Sequence, residues 1–188
     1  EMVERDWSSD VCSSDLRCRD LALVDLCLTD DMWVGARAMW KPERVKEIFV
    51  TFAEADAIGL SSVAGFANPI PRDSGQGLHL TLCPPGEGML TLCAPIAPGL
   101  LLPVGIAEMK IIRPHEIIPV TMDRGIVTLD GEREFAFRQE DEVHVWLDLD
   151  GPFTIDVPKV MHIAAERGMF TLPSAYISGG SVRPEGVE

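Results

Sequence analysis

"GIVTLDGEREFAF", Gly125 to Phe137, sets the reading of the chain. Two short alternating apolar runs flank Asp130-Gly131, and Asp-Gly between such runs signals a hairpin because both turn positions tolerate positive φ. The turn alone accounts for the motif. Outward from it, the same pattern recurs in "LALVDLCLTD" (21–30), "EIFVTF" (47–52), "LHLTLC" (78–83), "MLTLC" (89–93), "VGIAEMKII" (104–112), "EIIPVT" (116–121) and "EVHVWLDL" (142–149). Pro and Gly break the chain between these β-branched or alternating runs, so the sequence predicts an all-β layer. Helical signal is sparse. Asp156 can cap a helix with Pro158 in its first turn, Val160, Ile163 and Ala164 on one face, and Gly168 as its stop. "KPERVKE" (41–47) predicts a turn or two of helix, and the polar tail 173–188 is read as loose.

The opening run reads differently. "RDWSSDVCSSDLR" (5–17) fits neither a helical nor a strand period, and Asp6–Leu16 back-translates in one frame to a string resembling a common sequencing-library adapter. Glu1–Leu16 is therefore expected to be a non-native segment without packing or stable hydrogen bonds. The domain is expected over 17–172, with the natural N-terminal part cut away.

The formal charge is −14, and it is −10 without Glu1–Leu16, which carries five acids and one base. Such excess acid argues against nucleic acid or an anionic membrane as partner. No apolar stretch reaches the length of a membrane span. Cys18, Cys27, Cys83 and Cys93 show no CxxC spacing, and His79, His115, His144 and His162 lie far apart. Reduced buried thiols in a cytoplasmic protein, with no metal site, are the expectation.

No catalytic constellation is evident: GxSxG, HExxH, GxGxxG after a strand and a Walker loop are all missing from the sequence. Three stretches are nevertheless more polar than a plain sandwich requires. Thr29, Asp30 and Asp31 end an apolar strand, where carboxylates can meet hydroxyls or amines. Asp56 precedes an apolar pair and then Ser61, Ser62 and Gly65 on an expected turn, where small residues let backbone N–H groups approach a ribose or phosphate. "RDSGQG" (72–77) reads as a hairpin loop or an anion nest. "APIAPGLLLPVG" (94–105), lacking any acid, base or nucleophile, is expected to shape the fold only.

Taken in order, "TDDMWVGARAMW" (29–40), "ADAIGLSSVAG" (55–65), "APIAPG" (94–99), "VTLDGERE" (127–134) and "LDLDGPFTIDVPKVMHIAAERGMF" (147–170) resemble the C-terminal part of the ATP-NAD kinase family, nearest its acetoin-catabolism protein X branch. The resemblance implies two domains, an N-terminal α/β domain bearing a Gly-Gly-Asp-Gly-Thr loop and a C-terminal β-sandwich with one C-terminal helix. Only the second is represented, since that loop occurs nowhere in the chain. It further implies ATP and NAD as ligands, Mg²⁺ as an accompanying ion, and a homo-oligomeric parent. Asp56 takes the place of the family's sandwich-domain aspartate, and Ser62 and Gly65 fall where its substrate loop has Thr-Pro-Thr-Gly. Asp130 and Gly131 match its Asp-Gly turn, and Asp30 falls near an Asn-Glu pair that contacts the dinucleotide. "FANP" (66–69) replaces the usual Ser-Thr-Ala-Tyr, and Gly99 stands where histidine is usual. No catalytic residue is assigned to this chain.

Two functional readings stay open at this point. The chain is the substrate-binding β domain of a kinase acting on NAD or a related diol, inactive alone, or it is a non-catalytic nucleotide-binding or oligomerisation module.

Overall fold

A computed structural model of the chain describes residues 2–9, 12–30, 42–151 and 155–172. The chain divides into two units, Glu1–Gly151 and Pro152–Glu188. The first contains β1 (Met2–Ser9), β2 (Cys12–Leu21), β3 (Asp25–Thr29), β4 (Val45–Val50), α1 (Ser61–Ala67), β5 (Gly77–Cys83), β6 (Leu90–Ala97), β7 (Leu100–Ile112), β8 (Ile118–Pro119), β9 (Gly125–Leu129), β10 (Arg133–Phe137) and β11 (Val143–Trp146). The second contains α2 (Val157–Glu166), where the Asp156 carboxylate accepts from the Lys159 N–H at 3.0 Å and Gly168 follows at φ +67°. Each apolar run read from the sequence contributes a strand, and the protein is mainly β.

Two antiparallel sheets result, one in the order β2-β1-β11-β8 and one in the order β10-β9-β3-β4-β5-β7-β6. Alternation along the strands of the larger sheet divides its apolar side chains between two layers. Leu26, Leu28, Phe49, Val127 and Leu129 share one layer with Ile118, Val143 and Val145 of the smaller sheet. Ile48, Val50, Leu78, Leu80 and Ile106 form the other with Val63 and Ala64 of α1. Fully burying each of the Val, Leu, Ile and Phe side chains among these contributes about 1.5–3 kcal/mol. The four-stranded sheet thus covers one face of the larger sheet, and α1 covers part of the other.

Several expectations are corrected. "KPERVKE" makes only a single 3₁₀ turn, Pro42–Arg44, because Val45 already enters β4 to join the core. Ser61, Ser62 and Gly65 lie in helix α1 rather than a turn, since "SSVAGFA" supplies the small buried residues that a helix needs to approach the sheet closely. "APIAPGLLLPVG" is a hairpin: Pro95 pairs with Leu101 and Cys93 with Pro103, and Gly99 turns the chain at φ +76°. Pro95 is tolerated because β6 is an edge strand of the larger sheet, and Pro103 because β7 pairs with β5 only from Gly105 to Ile112. Of the cysteines whose side chains are described, only Cys27 is buried, Cys83 is half-buried and Cys93 is exposed. Asp31 and the tail 173–188 lie outside the described residues.

The opening run also departs from expectation. β1 pairs with β2 over Met2–Ser9 and with β11 at Met2–Arg5, so backbone ladders include described residues of the opening segment. Ladders are made by main-chain groups that every sequence carries, and they do not require the side-chain period by which the run was judged irregular.

The Asp-Gly turn does more than reverse the chain. Asp130 and Gly131 take φ of +52° and +66°. The Asp130 carboxylate accepts from three successive N–H groups, those of Leu23, Val24 and Asp25, at 2.7–3.2 Å. Its own N–H donates to the Asp25 carbonyl at 2.9 Å. Arg133 completes the clasp, pairing with the Asp20 carboxylate and donating to the Leu21 carbonyl at 2.5 Å. The turn therefore anchors the start of the central strand β3. Asp25 carries the electrostatic cost: burial, then the neighbouring Asp130 charge, push its carboxyl up to about 6.

Two outcomes are expected from this architecture. Glu1–Leu16 reads from the sequence as a non-native segment. Deleting Glu1–Leu16 should therefore leave a cooperative thermal transition with a midpoint within about 5 °C of the full chain, and loss of cooperativity would contradict this. Asp25 has a folded pKa above its unfolded one, so the folded state holds the extra proton between about pH 4 and pH 6, and its contribution to stability falls as pH rises through that window. Asp25→Asn should raise stability in urea titrations at pH 7–8, by up to roughly 3 kcal/mol, and converge on the parent chain near pH 4. A difference that does not depend on pH would refute the assignment.

Candidate functional site

Beyond β4 the chain makes an excursion that is pinned at its base. Ala53 and Ile70 exchange both backbone hydrogen bonds at 2.9 Å, which draws the segment 52–54 against 70–72. Inside the excursion α1 lies so close to the pinned segment that a Cβ added at Gly65 would stand 2.1 Å from the Glu54 carbonyl oxygen. Only glycine fits there. The Gly59 N–H donates to the Pro95 carbonyl at 2.9 Å, and the Ser62 hydroxyl donates to the Gly59 carbonyl at 2.6 Å, with the Pro95 carbonyl 3.5 Å away. Two motifs far apart in sequence, "ADAIGLSSVAG" and "APIAPG", thereby meet.

This arrangement leaves a shallow, open concavity of about 510 Å³, lined by Ala53–Asp56 and Pro69–Pro71. Its walls are mostly apolar, and Asp56 is exposed on its rim. Beside it, Arg72 donates through Nε and Nη2 to the two carboxylate oxygens of Glu54, each at 2.9 Å, and its guanidinium lies 3.5 Å over the Phe52 ring. The hydrogen bond to Arg72 holds the Glu54 carboxyl below the usual carboxylate range, and Arg72 is raised in turn by Glu54 and, more weakly, by Asp56. A concave apolar floor with an ionised carboxylate and a fixed guanidinium suits a ligand carrying both hydroxyls and a flat or charged group.

The residues singled out from the sequence do not all gather here. Asp56 is at the concavity, while Ser62 and Gly65 are buried behind it, so they shape the site without facing a ligand. The carboxylate of Asp130 is committed to the backbone of β3, with Gly131 supplying the turn. Asp30 lies at the opposite end of β3 from Asp25, where it pairs with Lys46 at 3.0 Å and Arg44 at 3.5 Å. Among the described residues, no group of three His, Cys, Asp or Glu side chains could hold a metal.

Two pairings escaped the sequence reading. Glu54 and Arg72 stand apart in sequence, and only the Ala53–Ile70 bridge brings them together. His79 contacts Glu47 at 2.7 Å and stacks on Phe49 with ring centroids 4.1 Å apart. Alternation gave a signal for this second pair: His79 stands directly across from Phe49 in the β4–β5 register, on the face opposite Leu78 and Leu80.

Comparison with known proteins supports the acetoin-catabolism protein X part of the reading from motif order. A family model described as "Acetoin catabolism protein X C-terminal domain" matches residues 10–150. A curated relative, "Acetoin catabolism protein X" of Cupriavidus necator, is 45% identical over 165 residues, covering 86% of this chain. The chain spans 45% of that relative's length. No solved structure matches. No described helix is long and apolar enough to cross a membrane. The chain belongs to the family of acetoin catabolism protein X C-terminal domains.

Proposed function

We propose that this chain is the substrate-binding β domain of a longer, cytoplasmic, oligomeric protein of acetoin catabolism that uses ATP to phosphorylate NAD or a related diol. Glu1–Leu16 contributes nothing to that role. The observation that carries the reading is the meeting of "ADAIGLSSVAG" with "APIAPG" at Gly59 and Pro95, which leaves Asp56 exposed on the rim of a concavity. These are two of the stretches by which the sequence resembles ATP-NAD kinases, and Asp56 is the residue to which that resemblance gives the family's sandwich-domain aspartate.

The chemistry assigned to the chain is positioning. A carboxylate can accept hydrogen bonds from both hydroxyls of a ribose, and the apolar floor excludes water from the rest of the ring. ATP supplies the phosphoryl group in the whole protein. Phosphoryl transfer depends on holding the nucleophile and the phosphates in line, and a β domain contributes by fixing one reactant. The described residues do not form a carboxylate cluster fit for Mg²⁺, so no step is assigned to that ion. Activation of the attacking hydroxyl belongs to the Gly-Gly-Asp-Gly-Thr loop of the family, which this sequence lacks.

Isothermal titration of the purified chain tests the reading. NAD should bind without turnover to NADP in the presence of ATP and Mg²⁺. Asp56→Ala should weaken binding about tenfold or more, the equivalent of about 1.4 kcal/mol, whereas Asp73→Ala on the neighbouring loop should leave it unchanged. NADP formation above the enzyme-free rate would contradict the division of labour. Equal affinity for NAD in Asp56→Ala would contradict the site.

A further inference from the structure

Arg72 is the only basic residue between Thr51 and Gly77 in a chain of formal charge −14. Its placement is unusually well defined for a side chain that remains 63% exposed. The carboxylate of Glu54 takes Nε–H and one hydrogen of Nη2, both at 2.9 Å. Phe52 fixes the plane of the guanidinium from 3.5 Å. A guanidinium carries five N–H donors, so this side-on pairing leaves three, the second of Nη2 and both of Nη1, along the edge facing away from Glu54. That edge is the bidentate face used for phosphate oxygens, and it is held in place before any ligand arrives.

Glu54 and Asp56 both line the concavity, and Arg72 is hydrogen-bonded to the first and electrostatically coupled to the second. We propose that Arg72 holds a phosphate oxygen of the ligand whose ribose hydroxyls meet Asp56, and so makes the site select phosphorylated over unphosphorylated nucleosides. This rests on the reading of Asp56 as a hydroxyl-binding carboxylate. Glu54 is the positioning residue, orienting the fork while Phe52 flattens it. The acidic surroundings of a chain of charge −14 oppose an anion, so phosphate binding here depends on directed hydrogen bonds from this one cation.

Titration of the full chain with NAD, nicotinamide riboside and adenosine separates the claims. Arg72→Gln should lower affinity for NAD about tenfold and change affinity for the two nucleosides by less than about twofold. Asp56→Ala should weaken all three ligands. The double variant Arg72→Gln/Glu54→Gln, which removes the carboxylate left without its guanidinium partner at position 54, should stay as weak for NAD as Arg72→Gln alone. Thermal melts of each variant check that the domain is folded. Recovery of NAD affinity in the double variant, equal losses for all three ligands in Arg72→Gln, or no loss at all would overturn the assignment of Arg72. If Asp56→Ala changes nothing while Arg72→Gln still discriminates, the phosphate contact stands and the reading of Asp56 falls. If the unmodified chain binds none of the three, both fall.

Discussion

The contact between Gly65 and the Glu54 carbonyl is the constraint on which the candidate site depends. No side chain fits between α1 and the strand-end segment, since a Cβ there would lie 2.1 Å from the carbonyl oxygen. This close approach, with the Ala53–Ile70 bridge at the base, fixes the path of the excursion and sets Asp56 on the rim. It also brings Gly59 and Ser62 within hydrogen-bonding reach of the Pro95 carbonyl on β6. One missing methyl group thus ties the helix, the β6–β7 hairpin and the concavity into a single arrangement.

The acidic character of the chain finds two different local solutions. At the Asp-Gly turn, a carboxylate fills a nest of three backbone N–H groups and anchors β3, at the expense of a neighbour, Asp25, whose own charge is disfavoured. At the excursion, a carboxylate instead pairs with a guanidinium outside the core, where solvent moderates the energy and the fork stays available. The first is suited to stability and the second to recognition. The difference follows from what each carboxylate meets: main-chain donors that are always present, or a side chain with donors to spare.

Strand content was legible because alternation and Pro/Gly punctuation are local. "GIVTLDGEREFAF" forms its hairpin as read, and the Asp156 cap starts α2 as read. The misreadings share a cause, since each concerns a residue whose conformation is decided by a distant partner. "SSVAGFA" looks like a turn until the sheet and the Glu54 carbonyl give its small residues something to pack against. Pro95 and Pro103 argue against strands until β6 is known to be an edge and the β5–β7 pairing is known to begin at Gly105. Of the candidate site, Asp56 was visible through motif order alone, whereas the pairing of Arg72 with Glu54 was hidden because nothing local couples the two. Asp130 was visible as a turn residue, but its three backbone partners, more than a hundred residues away, were not.

The account's central claim is that the Asp56 concavity, and no other part of the domain, receives the dinucleotide. Mapping backbone amide shifts by ¹H–¹⁵N NMR during titration with NAD tests it most directly, because it assumes nothing about which residues matter. The account predicts changes concentrated at Ala53–Asp56, Gly59 and Arg72, with the β9–β10 turn and the Asp30 end of β3 unmoved. Shifts clustered around Thr29 and Asp30, or spread along the β6 edge with the excursion silent, would contradict it.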